Sequence, residues 1–241
     1  VLNYMRGTDS LEQNNGGVFR NRSSLLGDIV HSSPAFVGAT IEQLYPDDWS
    51  KGTAPAEPED AYPYSTFKST IQALNSGEGR TPIIYVGSND GMLHAFDAKI
   101  TEDSDGLPVF PSTFGDEIFA YIPNITMNKL KALTDPDYVH EYSVDGSPNV
   151  GDAFFSTANK WSTVLVSGLR GGGQGIFALD VTKPKEQFSS ETDAAASVLW
   201  EFTDSNDSDL GYTFSQPNIV RMMNGKWAAV FGNGYNNHRR S

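Results

Sequence analysis

The chain has 241 residues, 38% of them hydrophobic and 12% aromatic, which is enough for a packed core and disfavours general disorder. It carries 17 Lys and Arg against 30 Asp and Glu, so its formal charge of −13 disfavours binding to nucleic acid or to anionic lipid. Cysteine is absent, which excludes disulfides, thiolate metal sites and a cysteine nucleophile.

The chain shows no membrane-spanning or leader pattern. No apolar run approaches the roughly 20 residues of a membrane helix, and no basic stretch followed by an apolar one opens the sequence. We therefore expect no membrane span, and either a cytosolic protein or a mature or excised piece of an exported one. A first residue of Val1 favours the second alternative.

Helical periodicity is scarce, and it predicts only two short helices, at 66–74 and 127–133. The other apolar residues lie in short runs of Val, Ile, Phe, Tyr and Trp bounded by Gly, Asn, Asp and Pro, which is typical of strands and turns. The predicted strands, in chain order, are 33–38, 83–87, 92–97, 117–122, 147–150, 163–168, 175–180, 198–202, 215–220 and 227–232.

These runs repeat in sets of four. Each full set has a Ser-Pro start, a buried strand that ends in Gly, a hairpin partner that ends in Asp, and an outer strand with aromatic residues. Four-stranded antiparallel units repeated along a chain are the blades of a β-propeller. The sequence therefore predicts an all-β fold, with blade one at about 28–123, blade two at about 139–204 and the start of blade three at about 212–236.

The predicted blades are too few and too unevenly spaced for a simple closed ring. A propeller has about four to eight blades, so residues 1–241 are expected to form an incomplete propeller; a shorter, atypical β protein is the alternative. Ser33 and Ser147 are 114 residues apart, but Ser147 and Ser215 are only 68 apart. A blade needs about 40–45 residues, so long insertions are expected.

Three local features of these blades are predicted from residue type. The largest insertion, at 41–80, is rich in Pro, Glu, Asp and Ser and is expected to be an exposed acidic loop. The turn Asn89-Asp90-Gly91 supplies residues that tolerate the positive φ of a tight hairpin. The Gly-rich run 171–173 is expected to form a looser turn, because it leads into a strand rather than a helix.

Four stretches of the chain carry a more specific pattern, and they occur in this order: 20–34 (RNRSSLLGDIVHSSP), 85–97 (YVGSNDGMLHAFD), 175–182 (GIFALDVT) and 231–236 (FGNGYN). They resemble the C-terminal propeller region of the PilY/PilC family, which are tip-associated adhesins and biogenesis factors of bacterial type IV pili. The resemblance covers nearly the whole chain apart from the acidic insertion. It implies quinoprotein-like four-stranded blades.

The resemblance also implies a role. Members are large exported proteins of the periplasm, outer membrane or pilus tip, associated with pilus biogenesis, control of retraction, adhesion and twitching motility. The implied partners are minor pilins or the pilus tip, and a host or abiotic surface. Several members depend on calcium, so calcium is a possible cofactor, although the recognised calcium loop is expected to lie outside this chain.

Two acidic loops are candidates for binding calcium, which prefers oxygen ligands at alternating positions. Asp103 and Asp105 precede a glycine but lack a full ligand set. Asp204, Asp207 and Asp209 lie close together but lack a glycine at the turn. Loops of this composition are more often simply solvated.

Aromatic residues in the acidic insertion are the candidates for a binding loop, because exposed aromatic residues are enriched at interfaces. They are Tyr45, Trp49, Tyr62 and Tyr64. Packing of the insertion onto its own blade is the alternative. The remaining tryptophans, Trp161, Trp200 and Trp227, fall at repeated strand positions and are expected in the core or between blades.

The other polar motifs favour structural roles. Arg6-Gly7-Thr8-Asp9 lacks the RGD tripeptide of some family members and is expected to be a polar turn. The histidines have no metal-ligand spacing, and His31 and His94 are expected to be hydrogen-bonded within the fold; the other two are His140 and His238. No Gly-x-Ser-x-Gly nucleophile motif occurs.

These observations favour a non-enzymatic module of a pilus tip protein that presents variable loops from rigid blades. Addition of a strand to the outer blade edges, at 117–122 and 198–202, is a possible way of docking onto a pilin. The first alternative is a fragment of a PQQ-dependent quinoprotein dehydrogenase, although PQQ is not expected because the usual cofactor-binding side chains are missing. The second is a periplasmic scaffold for outer-membrane assembly.

Overall fold

The computed structural model describes residues 1–52 and 55–235. Its strands are β1 (Ala35–Val37), β2 (Ile83–Gly87), β3 (Leu93–Asp97), β4 (Thr101–Glu102), β5 (Pro108–Val109), β6 (Glu117–Tyr121), β7 (Asn149–Phe155), β8 (Lys160–Gly168), β9 (Gly175–Asp180), β10 (Val198–Thr203), β11 (Asn218–Arg221) and β12 (Trp227–Val230). Its α-helices are α1 (Leu2–Met5), α2 (Tyr64–Gln72), α3 (Pro184–Gln187) and α4 (Glu191–Ser197).

Two antiparallel sheets of four strands form the centre of the fold. Blade one has the order β1-β2-β3-β6 and blade two the order β7-β8-β9-β10, so each follows the chain from its inner to its outer strand. The register within blade one pairs Ala35 with Tyr85 and Tyr85 with Ala95. This is the blade pattern that the sequence predicts, and the all-β, partial propeller fold is confirmed.

The two blades pack face to face. Because side chains alternate along a strand, one face of each sheet can be wholly apolar. The buried cluster between them combines Val37, Ile83, Tyr85, Leu93 and Ala95 of blade one with Val144, Leu165, Leu169, Phe177, Leu179 and Val181 from the second repeat. Sheet-on-sheet burial of this kind is what holds successive propeller blades together.

Strands β11 and β12 form a third, two-stranded unit beside blade two. Its side chains Ile219, Trp227 and Ala229 pack on a buried cluster of blade two. The inner strand β7 contacts both β1 and β11, so the innermost strands of the three units are neighbours, as around a propeller axis. Phe36 and Val230 remain exposed on the faces that point away from blade two, where a closed ring would place further blades.

The uneven repeat spacing of the sequence reappears in the contacts between the blade starts. His31 N–H donates to Asp145 at 3.1 Å and Ser33 N–H to Ser147 Oγ at 2.9 Å, and both pairs are 114 residues apart. Asn149 donates to the carbonyl of Pro217 at 2.7 Å, a pair 68 residues apart. Equivalent residues of successive repeats are therefore hydrogen-bonded to each other, and these bonds connect the starts of the three units.

Several local predictions need correction. The helix predicted at 66–74 is confirmed as α2, but the region 127–133 overlaps two 3₁₀ helices, Asn124–Lys129 and Ala132–Thr134, and forms no α-helix. Helix α4 was not predicted, although Ser190 accepts a hydrogen bond from Asp193 N–H and caps it. In the turn 89–91 only Gly91 has a positive φ, of 96°.

Candidate functional site

The insertion (residues 41–80) folds onto the blades and is not the exposed loop that its composition predicts. Helix α2 lies inside it, and Tyr64 is only 1% exposed. Tyr45 and Trp49 are half-buried, so the expectation of exposed aromatic side chains is wrong for three of the four candidates; Tyr62, at 40% exposed, is the exception. The insertion buries its aromatics because apolar surface is available on its neighbours.

That apolar surface belongs to blade two and to the third unit, not to the insertion's own blade. Tyr64 meets the ring of Trp161 at 4.8 Å between centroids, and Tyr45 lies 5.8 Å from Trp161 in a stacked arrangement. Trp49 and Tyr45 reach Trp227 at 5.9 and 5.2 Å. Edge-to-face and offset contacts at these distances are favourable. The insertion therefore spans from blade one across blade two to the third unit.

A buried hydrogen-bond network lies beneath this aromatic cluster. Tyr64 Oη donates to Asp152 Oδ2 at 2.5 Å, and Thr163 Oγ1 donates to Asp152 Oδ1 at 2.6 Å. Arg80, at the end of the insertion, donates from Nη1 to Thr163 Oγ1 at 2.7 Å. Burial and the neighbouring Asp152 carboxylate raise the pKa of the Tyr64 hydroxyl, so it stays protonated and acts as a donor.

A second polar contact, here called the latch, fixes the insertion to the third unit. Arg221 donates to Glu59 Oε1 at 2.7 Å and to Glu57 Oε2 at 2.9 Å, and Trp227 Nε1 donates to Glu59 Oε1 at 3.0 Å. Burial alone would raise the pKa of the Glu59 carboxyl, but the hydrogen bonds from Arg221 and Trp227 outweigh it and hold that pKa below its usual value. Glu59 is thus a fully buried, fully paired carboxylate.

The sequence gives no hint of the latch. Glu59 and Arg221 are 162 residues apart, and neither belongs to a recognisable motif. One local signal was available, because Pro58 lies at the start of a 3₁₀ turn whose Glu57 and Asp60 form a capping box. That signal predicts an ordered turn within the insertion, but not its partner.

The acidic loops proposed for calcium use their oxygens within their own turns. Asp103 Oδ1 accepts from the N–H groups of Asp105 and Leu107, both at 2.9 Å. Asp207 Oδ1 accepts from Asp209 N–H at 2.9 Å, and Asp204 is exposed at the start of the same turn. Among the residues that the structure describes, no three His, Asp or Glu side chains converge as a metal site.

His94 is held between two carboxylates. Its Nδ1 lies 2.5 Å from Glu117 Oε1 on the outer strand, and its Nε2 lies 3.0 Å from Asp90 Oδ2 in the β2–β3 turn. Burial would lower the pKa of His94, but the hydrogen bonds to Asp90 and Glu117 outweigh it and raise the pKa to about 9. His94 is therefore protonated near neutral pH and donates to both carboxylates, and its predicted role as a hydrogen-bonded structural residue is confirmed.

The strap (residues 20–34) runs over the β2–β3 turn into blade one. Gly27 N–H donates to Asp90 Oδ2 at 2.8 Å, and His31 Nδ1 lies 2.7 Å from Asp145 Oδ2 of the second repeat, so His31 is hydrogen-bonded as predicted. A cavity of about 400 Å³ opens between the strap and α1. Arg6, which follows α1 at the start of the predicted polar turn, pairs with the exposed Glu191 at the start of α4.

The remaining predicted residues divide between core and surface. Trp161 is buried and Trp227 half-buried, but Trp200 is 37% exposed on the outer strand β10 and lies neither in the core nor between the described blades, where it was expected. His140 bonds to Asp28 at 2.9 Å. His238 lies outside the described residues. A second cavity of about 500 Å³ lies between α2 and α4, with Phe67 and Ile71 in its wall.

The fold defines a class of protein, a partial β-propeller. The insertion between the two inner strands of blade one is held against blade two and the third unit. In the parts of the chain described here, 1–52 and 55–235, no helix has the length and apolar character needed to cross a bilayer. The polar side chains that the fold brings together serve its own packing.

Residues 26–240 match the family described as the PilY1 beta-propeller domain, and the chain belongs to this family. It is 44% identical over 237 residues to the type IV pilus biogenesis factor PilY1 of Pseudomonas aeruginosa strain UCBPP-PA14, covering 97% of this chain and 17% of that protein. A PilY1 homolog of Xylella fastidiosa strain Temecula1 is 40% identical, with 98% of this chain and 14% of that protein covered.

A solved structure agrees with these sequence matches. The crystal structure of the Pseudomonas aeruginosa PilY1 C-terminal domain matches 84% of this chain and 32% of its own, with 38% identity and a TM-score of 0.55. The resemblance predicted from four motifs is thus confirmed along the chain. The chain spans about a sixth of the length of the curated relatives it matches.

Proposed function

We propose that the chain is a propeller module of an exported, pilus-associated protein that supports type IV pilus biogenesis. The observation that carries the proposal is 44% identity along 97% of the chain to a protein named as a type IV pilus biogenesis factor. The proposal extends to control of retraction, twitching motility and surface adhesion. Its site of action is the periplasm, the outer membrane or the pilus tip.

The module acts as a rigid platform, not as an enzyme. The buried groups that could do chemistry are committed to the fold: Asp152 accepts from Tyr64 and Thr163, and Glu59 accepts from Arg221. Groups bound in this way orient neighbouring blades and fix the insertion. The parent protein then presents surfaces at the ends and outer edges of the blades to its partners.

The outer strands are the proposed docking edges for minor pilins or the pilus tip. β6 and β10 each pair on one side only within the described sheets, so their other edges can accept an added strand. Trp200 is exposed on β10 and would lie against such a strand. A host or abiotic surface would be contacted by the same module through its exposed loops.

The test uses the parent protein in a piliated bacterium. Replacing the segment that corresponds to 26–235 should abolish or sharply reduce surface pili counted by electron microscopy, because the platform is lost. Normal piliation and twitching would contradict the proposed function. Binding of PQQ with one equivalent of bound chromophore would instead favour a dehydrogenase, and capture by the outer-membrane assembly machinery without pilin binding would favour the scaffold.

A point substitution tests the docking edge separately. Trp200→Lys places a charge on the edge of β10, which disfavours strand addition. We expect binding to purified minor pilin to weaken about tenfold, an effect typical of losing one interface aromatic. Met223→Lys, at a fully exposed position of the β11–β12 turn, is the matched control. Equal binding by both variants would rule out β10 as the docking edge.

A further inference from the structure

The rim hairpin (residues 98–116) connects β3 to β6 and displays a patch of uncovered apolar side chains. Ile100 is 50% exposed, Leu107 60% and Phe110 58%, and Val109 and Phe114 are also exposed. Phe110 and Phe114 contact each other edge to face at 4.9 Å. None of these residues belongs to the buried clusters found in the described part of the chain. Scattered apolar residues are ordinary at a surface, but a group on one hairpin is not.

Two of these apolar side chains, Ile100 and Phe110, share a face of the hairpin, whereas Val109 projects from the other face. Thr101 pairs with Val109 and Glu102 with Pro108, so Ile100 and Phe110 are the next opposed positions. Because cross-strand neighbours lie on the same side of a ribbon, Ile100 and Phe110 project together, on the side where Glu102 also projects.

The hairpin is held by hydrogen bonds at both ends, which orders its exposed residues. At the tip, Asp103 Oδ1 accepts two backbone N–H groups. At the base, the buried Asp97 accepts from Lys185 at 3.0 Å, and its carbonyl accepts from Gly115 N–H at 2.8 Å. A surface that is already ordered loses little conformational entropy on binding, which favours association.

The charge around the patch specifies what could cover it. Residues 100–116 contain Glu102, Asp103, Asp105 and Asp116 but no Lys, Arg or His. The nearest cation in sequence, Lys99, is paired with Glu78 at 2.7 Å. A second copy of this acidic surface would be repelled, whereas a partner with basic residues at the border of an apolar patch would be attracted.

We propose that the rim hairpin is a docking surface for a partner protein that presents apolar side chains bordered by Lys or Arg. The proposal deepens the proposed function, on which it rests, because it assigns one binding surface of the pilus-associated module and the chemistry of its partner. The partner inserts apolar side chains against Ile100, Phe110 and Phe114, and its cations face Glu102 and Asp105.

The experiment measures binding of short labelled peptides to the full-length parent protein by fluorescence anisotropy. The main probe alternates leucine with lysine; the two comparison probes alternate leucine with glutamate and serine with lysine. The test variant is Phe110→Ser with Phe114→Ser, and a second variant carries Glu102→Lys with Asp105→Lys. Val139→Ser, at another highly exposed apolar position, is the matched control.

We expect the leucine–lysine probe to bind at least about tenfold more tightly than either comparison probe. Both hairpin variants should weaken that binding about tenfold, and the control variant should leave it unchanged. Equal binding by all variants, or equal binding of the serine–lysine probe, would overturn the proposal. The proposal would also be overturned if the wild-type protein sedimented as a dimer and the variant with Phe110→Ser and Phe114→Ser as a monomer. The surface would then be covered by a second copy of the protein.

This test separates the surface from the function. If the segment 26–235 is needed for piliation but the hairpin variants bind the probe normally, the docking surface is refuted while the proposed function stands. If piliation does not need the segment and the probe still binds at the hairpin, the pilus role fails and the surface remains.

Discussion

Blade one carries two acidic insertions with aromatic residues, and they behave in opposite ways. The insertion at 41–80 buries Tyr64 and latches Glu59 to Arg221. The rim hairpin at 98–116 leaves Phe110 and Phe114 in solvent. Composition alone predicts an exposed loop in both places, so composition cannot be what separates them.

The position of each insertion in the blade explains the difference. The insertion at 41–80 joins β1 to β2, the two innermost strands of blade one, and therefore emerges beside the ends of β7 and β11. The rim hairpin joins β3 to β6, the two outermost strands; its base bonds to Lys185 of the second repeat, but its apolar side chains join none of the buried clusters of the described residues. An insertion is buried when apolar surface of a neighbour lies within its reach, and it stays exposed otherwise.

The largest expected effect comes from removing a buried aromatic of the insertion. Tyr64→Ala should lower the free energy of unfolding by about 4 kcal/mol, because it leaves a cavity and removes the hydrogen bond to Asp152. Phe110→Ala in the rim hairpin should change it by less than about 0.5 kcal/mol. Urea unfolding followed by tryptophan fluorescence measures both. Similar decreases in the free energy of unfolding for the two variants would contradict the proposed difference between the two insertions.

The latch should be the next most sensitive feature. Arg221→Met removes the cation and leaves the buried Glu59 carboxylate unpaired, which costs about 3 kcal/mol. Lys226→Met, on the same hairpin but exposed, is the control and should be nearly neutral. Because the folded pKa of Glu59 is lowered, the latch stabilises the fold above the unfolded pKa and is lost on acidification. If Arg221→Met lowered the free energy of unfolding by the same amount at low and at neutral pH, the result would argue against a buried ion pair between Arg221 and Glu59.

His94 links the outer strand β6 to Asp90 of the β2–β3 turn, and it gives a pH-dependent effect of opposite sign. Its folded pKa of about 9 exceeds the usual histidine pKa of 6.5, so its stabilisation is complete below about pH 6.5 and disappears as the pH rises through 9. His94→Gln should cost about 2 kcal/mol at pH 6, a figure discounted because Glu117 is half exposed. Wild type and variant should converge near pH 10. A constant difference across this range would show that His94 is neutral in the fold.

The smallest expected effect concerns calcium. The acidic side chains of the two loops do not converge in the described residues, so millimolar calcium should leave the melting temperature within about one degree. The variant with Asp204→Asn, Asp207→Asn and Asp209→Asn should behave like wild type in the same titration, and Asp103→Asn with Asp105→Asn is its counterpart in the rim hairpin. A rise in melting temperature that either variant abolishes would establish a calcium site in that loop.

Much of the fold was predictable because its strands follow from residue patterns that are local in the sequence. Strands such as β2 and β9 begin and end where the apolar runs do, since a buried strand needs a continuous apolar stretch closed by turn residues. The repeat spacing of 114 and 68 residues was also visible, and it proved to be the separation of the contacting blade starts. Repetition reveals which residues are equivalent, and equivalent residues of adjacent blades meet.

What covers the surface of each blade was decided only by the tertiary structure. Nothing near Glu59 in the sequence specifies Arg221, because their contact depends on how three units are arranged around β7. The same holds for the contact between Tyr64 and Trp161. It also holds, in the opposite sense, for Phe110, which contacts Phe114 of its own hairpin but joins no buried cluster of the described residues. Strand patterns are set by neighbours along the chain, whereas burial of an insertion depends on the surface that folding brings beside it.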